Sequence, residues 1–119
     1  MRKTILFVDD DEGWREVVAV RLQDAGFEVL TAKDASEAME RAEGIELGLI
    51  ILDLDLKGES GLALMRCLKR NHPDLPILLY TAQDYDNAAI LAMLKEGAHQ
   101  YLQKGSLEEL IVAVGGYFK

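Results

Sequence analysis

The side chains of this sequence that are suited to chemistry are five acids, one hydroxyl and one lysine, each placed just after a short apolar run. They are Asp9, Asp10, Asp11, Asp53, Asp55, Thr81 and Lys104. Clustered carboxylates repel each other, so one of them must take up a proton or a cation must lie among them. Oxygen ligands without histidine or cysteine favour Mg²⁺ or Mn²⁺. A carboxylate beside such a cation, a lysine and a hydroxyl is suited to phosphoryl transfer, with aspartate as the nucleophile.

Asp53 is the acid that most needs an explanation. It follows four apolar residues in the stretch "LIILDLDLKGESG", and a buried carboxylate is unfavourable unless it is paired. We predict that Asp53 accepts a phosphoryl group, and that a metal ion and Lys104 offset its charge. Taken singly, each side chain also has an explanation without chemistry: the first acids as a solvated turn before a helix, Thr81 as a strand-end residue, and Lys104 as ordinary surface.

Alternating strands and helices are predicted to bring these side chains together. Short apolar runs predict strands buried on both faces at residues 5–8, 27–30, 49–52, 77–80 and 101–102. Helical spacing or helix-capping residues predict helices at residues 14–22, 35–42, 62–68 and 86–96 and after Ser106. This alternation implies a parallel sheet with helices on both faces. Functional groups gather beyond the carboxyl ends of such strands, which places all seven side chains at one edge.

Composition limits the class of protein. The chain has 119 residues, long enough for one domain with its own core, and a net charge of −8 from 13 basic and 21 acidic residues. This balance argues against binding to nucleic acid or to an anionic membrane. The single cysteine excludes an intrachain disulfide. No secretory signal or membrane span is visible, so we expect a cytoplasmic protein.

Four motifs resemble the receiver domain of two-component response regulators. They are "ILFVDDDEGWR", "LIILDLDLKGESGL", "ILLYTA" and "YLQKGS", and the resemblance covers nearly the whole chain. It implies a flavodoxin-like, three-layer doubly wound sandwich with five helices and a five-stranded parallel sheet in the order 2-1-3-4-5. It also implies one receiver domain over residues 1–119, with no output domain in this chain.

The resemblance assigns the metal ligands. Asp53 is expected to be both the phospho-acceptor and a ligand of Mg²⁺, for which Mn²⁺ could substitute. Asp10 is expected to bind the metal directly, Asp9 through water, and Asp55 through its backbone carbonyl.

The resemblance also assigns the switch residues and the partners. Thr81 is expected to hydrogen-bond the phosphoryl group, Lys104 to pair with its charge, and Tyr101 to turn inward when Thr81 moves. The implied donor is a sensor histidine kinase or a histidine phosphotransfer protein, and the signal would pass to a downstream protein or output domain. Such a domain assists its own phosphorylation and dephosphorylation but is not an enzyme for an external substrate.

Two positions depart from the family pattern. Lys57 and Gly105 stand where proline is usual. Because cis bonds before residues other than proline are unfavourable by roughly 2.5–4 kcal/mol, we expect a trans bond after Lys104 and a looser loop there.

A partner surface is predicted from residues 88–94, "AAILAML", which are apolar without a break. On a helix these residues point in all directions, whereas the core covers only one side. The candidate contact residues are Ile90, Leu91, Leu94, Tyr101 and Ile111. The alternative is that the alanines simply dilute an ordinary surface. Phosphorylation-dependent dimerisation is left open.

Other functions share some of these residues. "ILDLDL" also resembles the nucleophile strand of haloacid-dehalogenase-type phosphatases, but those proteins place the acidic metal pair late, whereas here the acids come first. "DLDLKGESG" fails as a calcium loop, because Leu64 stands where the closing glutamate belongs. A third alternative is a receiver-like protein-binding module that is never phosphorylated.

Overall fold

Strands and helices alternate along the computed structural model, which describes residues 4–118. The strands are β1 (Thr4–Val8), β2 (Glu28–Ala32), β3 (Leu49–Leu52), β4 (Asp55–Leu56), β5 (Glu59–Ser60), β6 (Ile77–Thr81) and β7 (Gln100–Gln103). The helices are α1 (Glu12–Asp24), α2 (Ala35–Gly44), α3 (Gly61–Asn71), α4 (Asn87–Glu96) and α5 (Leu107–Gly116). Five strands form a parallel sheet in the order β2-β1-β3-β6-β7. The predicted sheet and its strand order are confirmed.

Each face of the sheet is covered by helices. Side chains of the central strands alternate between two buried clusters, so that Leu6 of β1 lies in one cluster and Phe7 in the other. Helices α2, α3 and α4 contribute to the first cluster, and α1 and α5 to the second. The central strands β1, β3 and β6 are therefore buried on both faces, as their continuous apolar runs predict. The prediction is wrong for the edge strands β2 and β7, which are partly exposed because each has a neighbouring strand on one side only. Within residues 4–118, no helix has the length and apolar character needed to cross a membrane.

Helix ends carry residues of the types that favour capping positions. The side chain of Asp34 accepts the Glu37 N–H at 2.9 Å, and Ser106 caps α5 in the same way. Gly26, with φ +100°, ends α1. The N–H of Phe27 then returns to the carbonyl of Leu22 at 3.1 Å. This closing hydrogen bond uses Phe27 to end the helix, so β2 begins one residue later than predicted.

A small hairpin that the apolar pattern does not predict follows the acidic end of β3. Strands β4 and β5 pair in an antiparallel manner through two residue pairs, with Lys57 and Gly58 forming the turn. The hairpin leads directly into α3 at Gly61. A Cβ atom at Gly61 would lie 2.5 Å from the Leu54 Cα and 2.8 Å from the Asp53 carbonyl oxygen. Only glycine lets α3 start this close to the chain that carries Asp53.

Replacing Gly61 with alanine is therefore expected to destabilise the domain. The added methyl meets backbone atoms, which cannot move aside as a side chain can, and overpacking of this kind lowers the free energy of unfolding by about 1–3 kcal/mol. Urea unfolding measures the change. Gly115→Ala is the matched control, because a Cβ there meets nothing within 4 Å and alanine should stabilise α5 by roughly 0.5–1 kcal/mol. Equal stability of the two variants would contradict the close approach at Gly61.

Candidate functional site

The strand ends that carry the predicted site residues are tied together by main-chain hydrogen bonds. The N–H of Asp53 donates to the Val8 carbonyl at 2.9 Å, which links the ends of β3 and β1. The N–H of Lys104 donates to the Thr81 carbonyl at 2.7 Å, which links the ends of β7 and β6. The predicted convergence of acids, hydroxyl and lysine at one edge of the sheet is therefore present.

Lys104 is the cation that pairs with the buried acids. Its Nζ lies 2.6 Å from Asp9 Oδ2 and 3.2 Å from Asp53 Oδ2. The three side chains are nearly inaccessible, with 7%, 0% and 5% of their surface exposed. Because water screens these buried contacts poorly, the free energy of each charged side chain depends strongly on the charges of the other two. The predicted pairing of Lys104 with Asp53 is present, and Asp9 makes the shorter contact.

Burial sets the protonation behaviour of this pair. Desolvation raises the pKa of Asp53, and the nearby Asp9 carboxylate adds to the effect, although the Asp55 N–H and Lys104 oppose it. For Lys104, desolvation alone would lower the pKa. The hydrogen bond and charge of Asp9, with those of Asp53, outweigh desolvation and raise the pKa. The raised pKa of Lys104 favours its charged form, whereas the raised pKa of Asp53 means that burial disfavours its ionised form.

Three carboxylates lie close enough to share a cation. Those of Asp9, Asp10 and Asp53 each offer an oxygen within 4.8 Å of the others. An all-oxygen set of this size fits a small hard cation such as Mg²⁺ or Mn²⁺. Asp11 has a different role from its neighbours, because its Oδ1 accepts the Trp14 N–H at 3.1 Å and caps α1. Asp55 donates its N–H to Asp53 Oδ1 at 3.0 Å, and the ligand role of its carbonyl stays a prediction.

Trp14 closes one side of the site. Lys104 Nζ lies 5.2 Å from the centre of the Trp14 ring, within the range of a cation–π contact. The Tyr80 ring meets Trp14 edge to face at 5.9 Å. Trp14 therefore packs against both Tyr80 and Lys104, and we expect its fluorescence to report on changes at the site.

Thr81 and Tyr101 are connected through one residue, Gln83. The N–H of Gln83 donates to Thr81 Oγ1 at 3.3 Å, and the Gln83 carbonyl accepts the Tyr101 hydroxyl at 2.8 Å. Tyr85 packs edge to face against Tyr101 with ring centres 6.1 Å apart. Sequence reasoning missed both Gln83 and Tyr85. An aromatic residue in the short loop after β6 is a signal that could have identified Tyr85, whereas Gln83 acts through its main-chain groups and gives no such signal.

The predicted partner surface is only partly exposed. Leu91 is 58% accessible, whereas Ile90, Leu94, Tyr101 and Ile111 are half-buried. Leu94 and Tyr101 pack on one core cluster and Ile111 on the other. Their role in binding stays a prediction.

The peptide bond after Lys104 is trans, as are all peptide bonds in residues 4–118. This agrees with the expectation from Gly105, and the looser loop stays a prediction.

Comparison with known proteins identifies one family. The family model of the response regulator receiver domain matches residues 5–115 of this chain. The chain is 40% identical over 104 residues to the phosphate regulon transcriptional regulatory protein PhoB of Pseudomonas aeruginosa, covering 86% of this chain and 45% of that protein. The chain thus spans less than half the length of this curated relative.

Solved structures agree with the relatives. Vibrio cholerae chemotaxis protein CheY4 superposes with a TM-score of 0.90 at 27% identity, covering 99% of this chain and all of that one. A Burkholderia pseudomallei response regulator with a phosphorylated aspartic acid, a calcium ion and citrate has a TM-score of 0.85 at 32% identity, covering 94% of this chain and 66% of that one. The sheet order, the acidic cluster with its lysine and these matches lead to one conclusion: the chain belongs to the response regulator receiver domain family.

Proposed function

We propose that this domain is a phosphorylation-activated switch in which Asp53 accepts a phosphoryl group from a phosphohistidine. Receiver domains are signalling domains that work with histidine kinases and output domains. The observation that supports acceptance at Asp53 is the pairing of its buried side chain, 5% exposed, with Lys104 beside the carboxylates of Asp9 and Asp10. Buried ionisable groups with shifted pKa values cluster at functional sites in proteins.

The reaction would be an in-line displacement at phosphorus. An oxygen of the Asp53 carboxylate forms the new bond to phosphorus, the bond to the imidazole nitrogen of the donor breaks, and the imidazole leaves with the bonding electrons. Bound Mg²⁺ would screen the acids and the phosphoryl oxygens. It would be held by Asp10 and Asp53, with Asp9 acting through water and Asp55 through its carbonyl.

Lys104 and Thr81 are the residues that would act on the transferred group. Lys104 Nζ already lies 3.2 Å from Asp53, so its ammonium can pair with the added charge. Thr81 Oγ1 accepts a hydrogen bond from Gln83, which leaves the threonine's own hydrogen available for a phosphoryl oxygen. The contacts of Lys104 and Thr81 with the phosphoryl oxygens would exist only when the phosphoryl group is present. The conformational shift can be no larger than the free energy of those contacts.

Gln83 offers a route from Thr81 to Tyr101. Movement of Thr81 toward the phosphoryl group would disturb its bond with the Gln83 N–H, and the Gln83 carbonyl holds the Tyr101 hydroxyl. A change at the site would therefore reach the half-buried ring of Tyr101 through two hydrogen bonds. The surface around Leu91 and Tyr101 is the proposed site of the response, where a downstream protein, an output domain or a second copy would bind.

Residues 1–119 would act as one receiver domain in the cytoplasm, without turnover of an external substrate and, given its charge of −8, without binding nucleic acid itself. The comparisons favour this function over a haloacid-dehalogenase-type phosphatase. The acid cluster paired with Lys104 favours it over a module that is never phosphorylated.

Intact mass spectrometry tests the proposal. Incubation with acetyl phosphate and Mg²⁺ is expected to add one phosphoryl group, and a chelator is expected to prevent the addition. A phosphorylated histidine phosphotransfer protein serves as a second donor. A folded domain that gains no phosphoryl group from either donor would overturn the proposed function.

A further inference from the structure

Asp10 is held by a main-chain group from a distant part of the chain. The N–H of Lys57 donates to Asp10 Oδ2 at 2.9 Å, across 47 positions of sequence. Asp10 is a member of the acid cluster with Asp9 and Asp53. The other two acids accept N–H groups from two residues further along the chain, at Asp11 and Asp55. Asp10 is therefore held from outside its own loop, by the turn of the hairpin.

The turn geometry makes this N–H available. Gly58 has φ +71°, whereas Lys57 has a negative φ, as do all described residues other than glycine. A two-residue turn with positive φ at its second position only is a type II turn. In this hairpin Leu56 pairs with Glu59, and the N–H of Lys57, the first turn residue, points away from the paired strands. The Lys57 N–H can therefore donate to Asp10.

The hairpin is fixed at other points, so the position of the N–H is defined. Leu56 is 3% exposed and packs in the core. Glu59 Oε1 accepts the N–H of Ala35 at 2.9 Å, at the start of α2. The Lys57 side chain is exposed. The main chain of Lys57, rather than its ammonium group, makes the contact with Asp10.

We propose that the main-chain N–H of Lys57 is a positioning group for cation binding, which holds Asp10 in the acid cluster. Asp10 is half-buried beside two buried carboxylates, and their repulsion favours turning it outward to solvent. The N–H bond to Oδ2 opposes this rotation and leaves Oδ1 available for the cation. The proposal rests on the proposed function, because it presumes that the cluster binds Mg²⁺.

Two variants of Lys57 separate the N–H from the side chain. Lys57→Pro removes the N–H, and proline suits the first position of a type II turn after an extended residue. Lys57→Ala removes the same ammonium group and keeps the N–H. Mg²⁺ titration, followed by Trp14 fluorescence and by calorimetry, is expected to show an affinity near the wild type for the alanine variant. For the proline variant we expect affinity weaker by about tenfold, at the low end of the losses seen when a group that orients a metal ligand is removed.

The outcomes distinguish this proposal from the proposed function. Equal affinity of the two variants, with Mg²⁺ bound by the wild type, would overturn the positioning role alone. A wild type that binds no Mg²⁺ would overturn both. Amide hydrogen exchange tests the contact without a change at position 57. The Lys57 amide is expected to exchange several-fold faster in Asp10→Ala than in the wild type, and an unchanged rate would also overturn the positioning role.

Discussion

Replacing Asp53 with asparagine is expected to abolish phosphoryl uptake and, at the same time, to stabilise the unphosphorylated domain. Asparagine has no carboxylate to form the acyl phosphate. Burial raises the pKa of Asp53, so the fold favours its protonated form and its charge destabilises the fold at neutral pH. Neutral asparagine removes this effect, while Lys104 keeps Asp9 as a partner at 2.6 Å. We expect the free energy of unfolding to rise by roughly 1 kcal/mol, the size of a typical single-site effect.

The effect of the Asp53 charge on stability depends on pH. A carboxyl whose folded pKa is raised destabilises the fold above its unfolded pKa, and this effect disappears as the pH falls below that value. The stability gain of Asp53→Asn is therefore expected at neutral pH and should vanish in acid. Urea unfolding between pH 4 and 7 measures it. Asp74→Asn is the control, because Asp74 is exposed. A loss of stability in Asp53→Asn at pH 7 would contradict the electrostatic account.

The sheet and the site chemistry could be predicted because both depend on side-chain type. Continuous apolar runs specify strands buried on both faces, and a parallel sheet places their carboxyl ends together. Asp53 and Lys104 are therefore in contact as expected, although 51 positions separate them. Thr81 ends the neighbouring strand β6, where its carbonyl accepts the N–H of Lys104. The resemblance supplied the ligand roles that spacing alone does not assign, such as the difference between Asp9 and Asp10.

Main-chain contacts could not be predicted in this way. The hairpin at residues 55–60, the hydrogen bond from Lys57 to Asp10 and the two bonds of Gln83 depend on loop conformation. An N–H is present at every residue except proline, so residue type gives no signal of where it points. Asp11 shows the same limit, because three successive aspartates look alike in sequence while only the third caps α1. Lys57 is the exception, because it provides an N–H at a position where the family pattern has proline, and this departure is visible in the sequence.

Replacing Lys104 with methionine is expected to lower the free energy of unfolding more than Gly61→Ala does. Methionine keeps the length of the side chain but leaves the Asp9 and Asp53 carboxylates, 0% and 5% exposed, without their shared cation. Breaking one side of a buried ion pair in this way lowers the free energy of unfolding by about 3–5 kcal/mol. Urea unfolding in the presence of a chelator measures the effect. Lys95→Met is the matched control, because Lys95 is exposed on α4 and its loss should change stability by under about 0.5 kcal/mol.

The same variant has a defined dependence on pH and on metal. In the wild type the raised pKa of Lys104 means that its contribution is fully present at neutral pH and is lost only as the pH rises through the folded value. In Lys104→Met, Asp53 loses the cation that opposes its desolvation, so its folded pKa stays above its unfolded value and stability should rise as the pH falls. Mg²⁺ should restore part of the loss, because a cation again lies among the acids. A variant that is equally destabilised from pH 4 to 7 and unaffected by Mg²⁺ would show that Lys104 acts through packing against Trp14 rather than through charge.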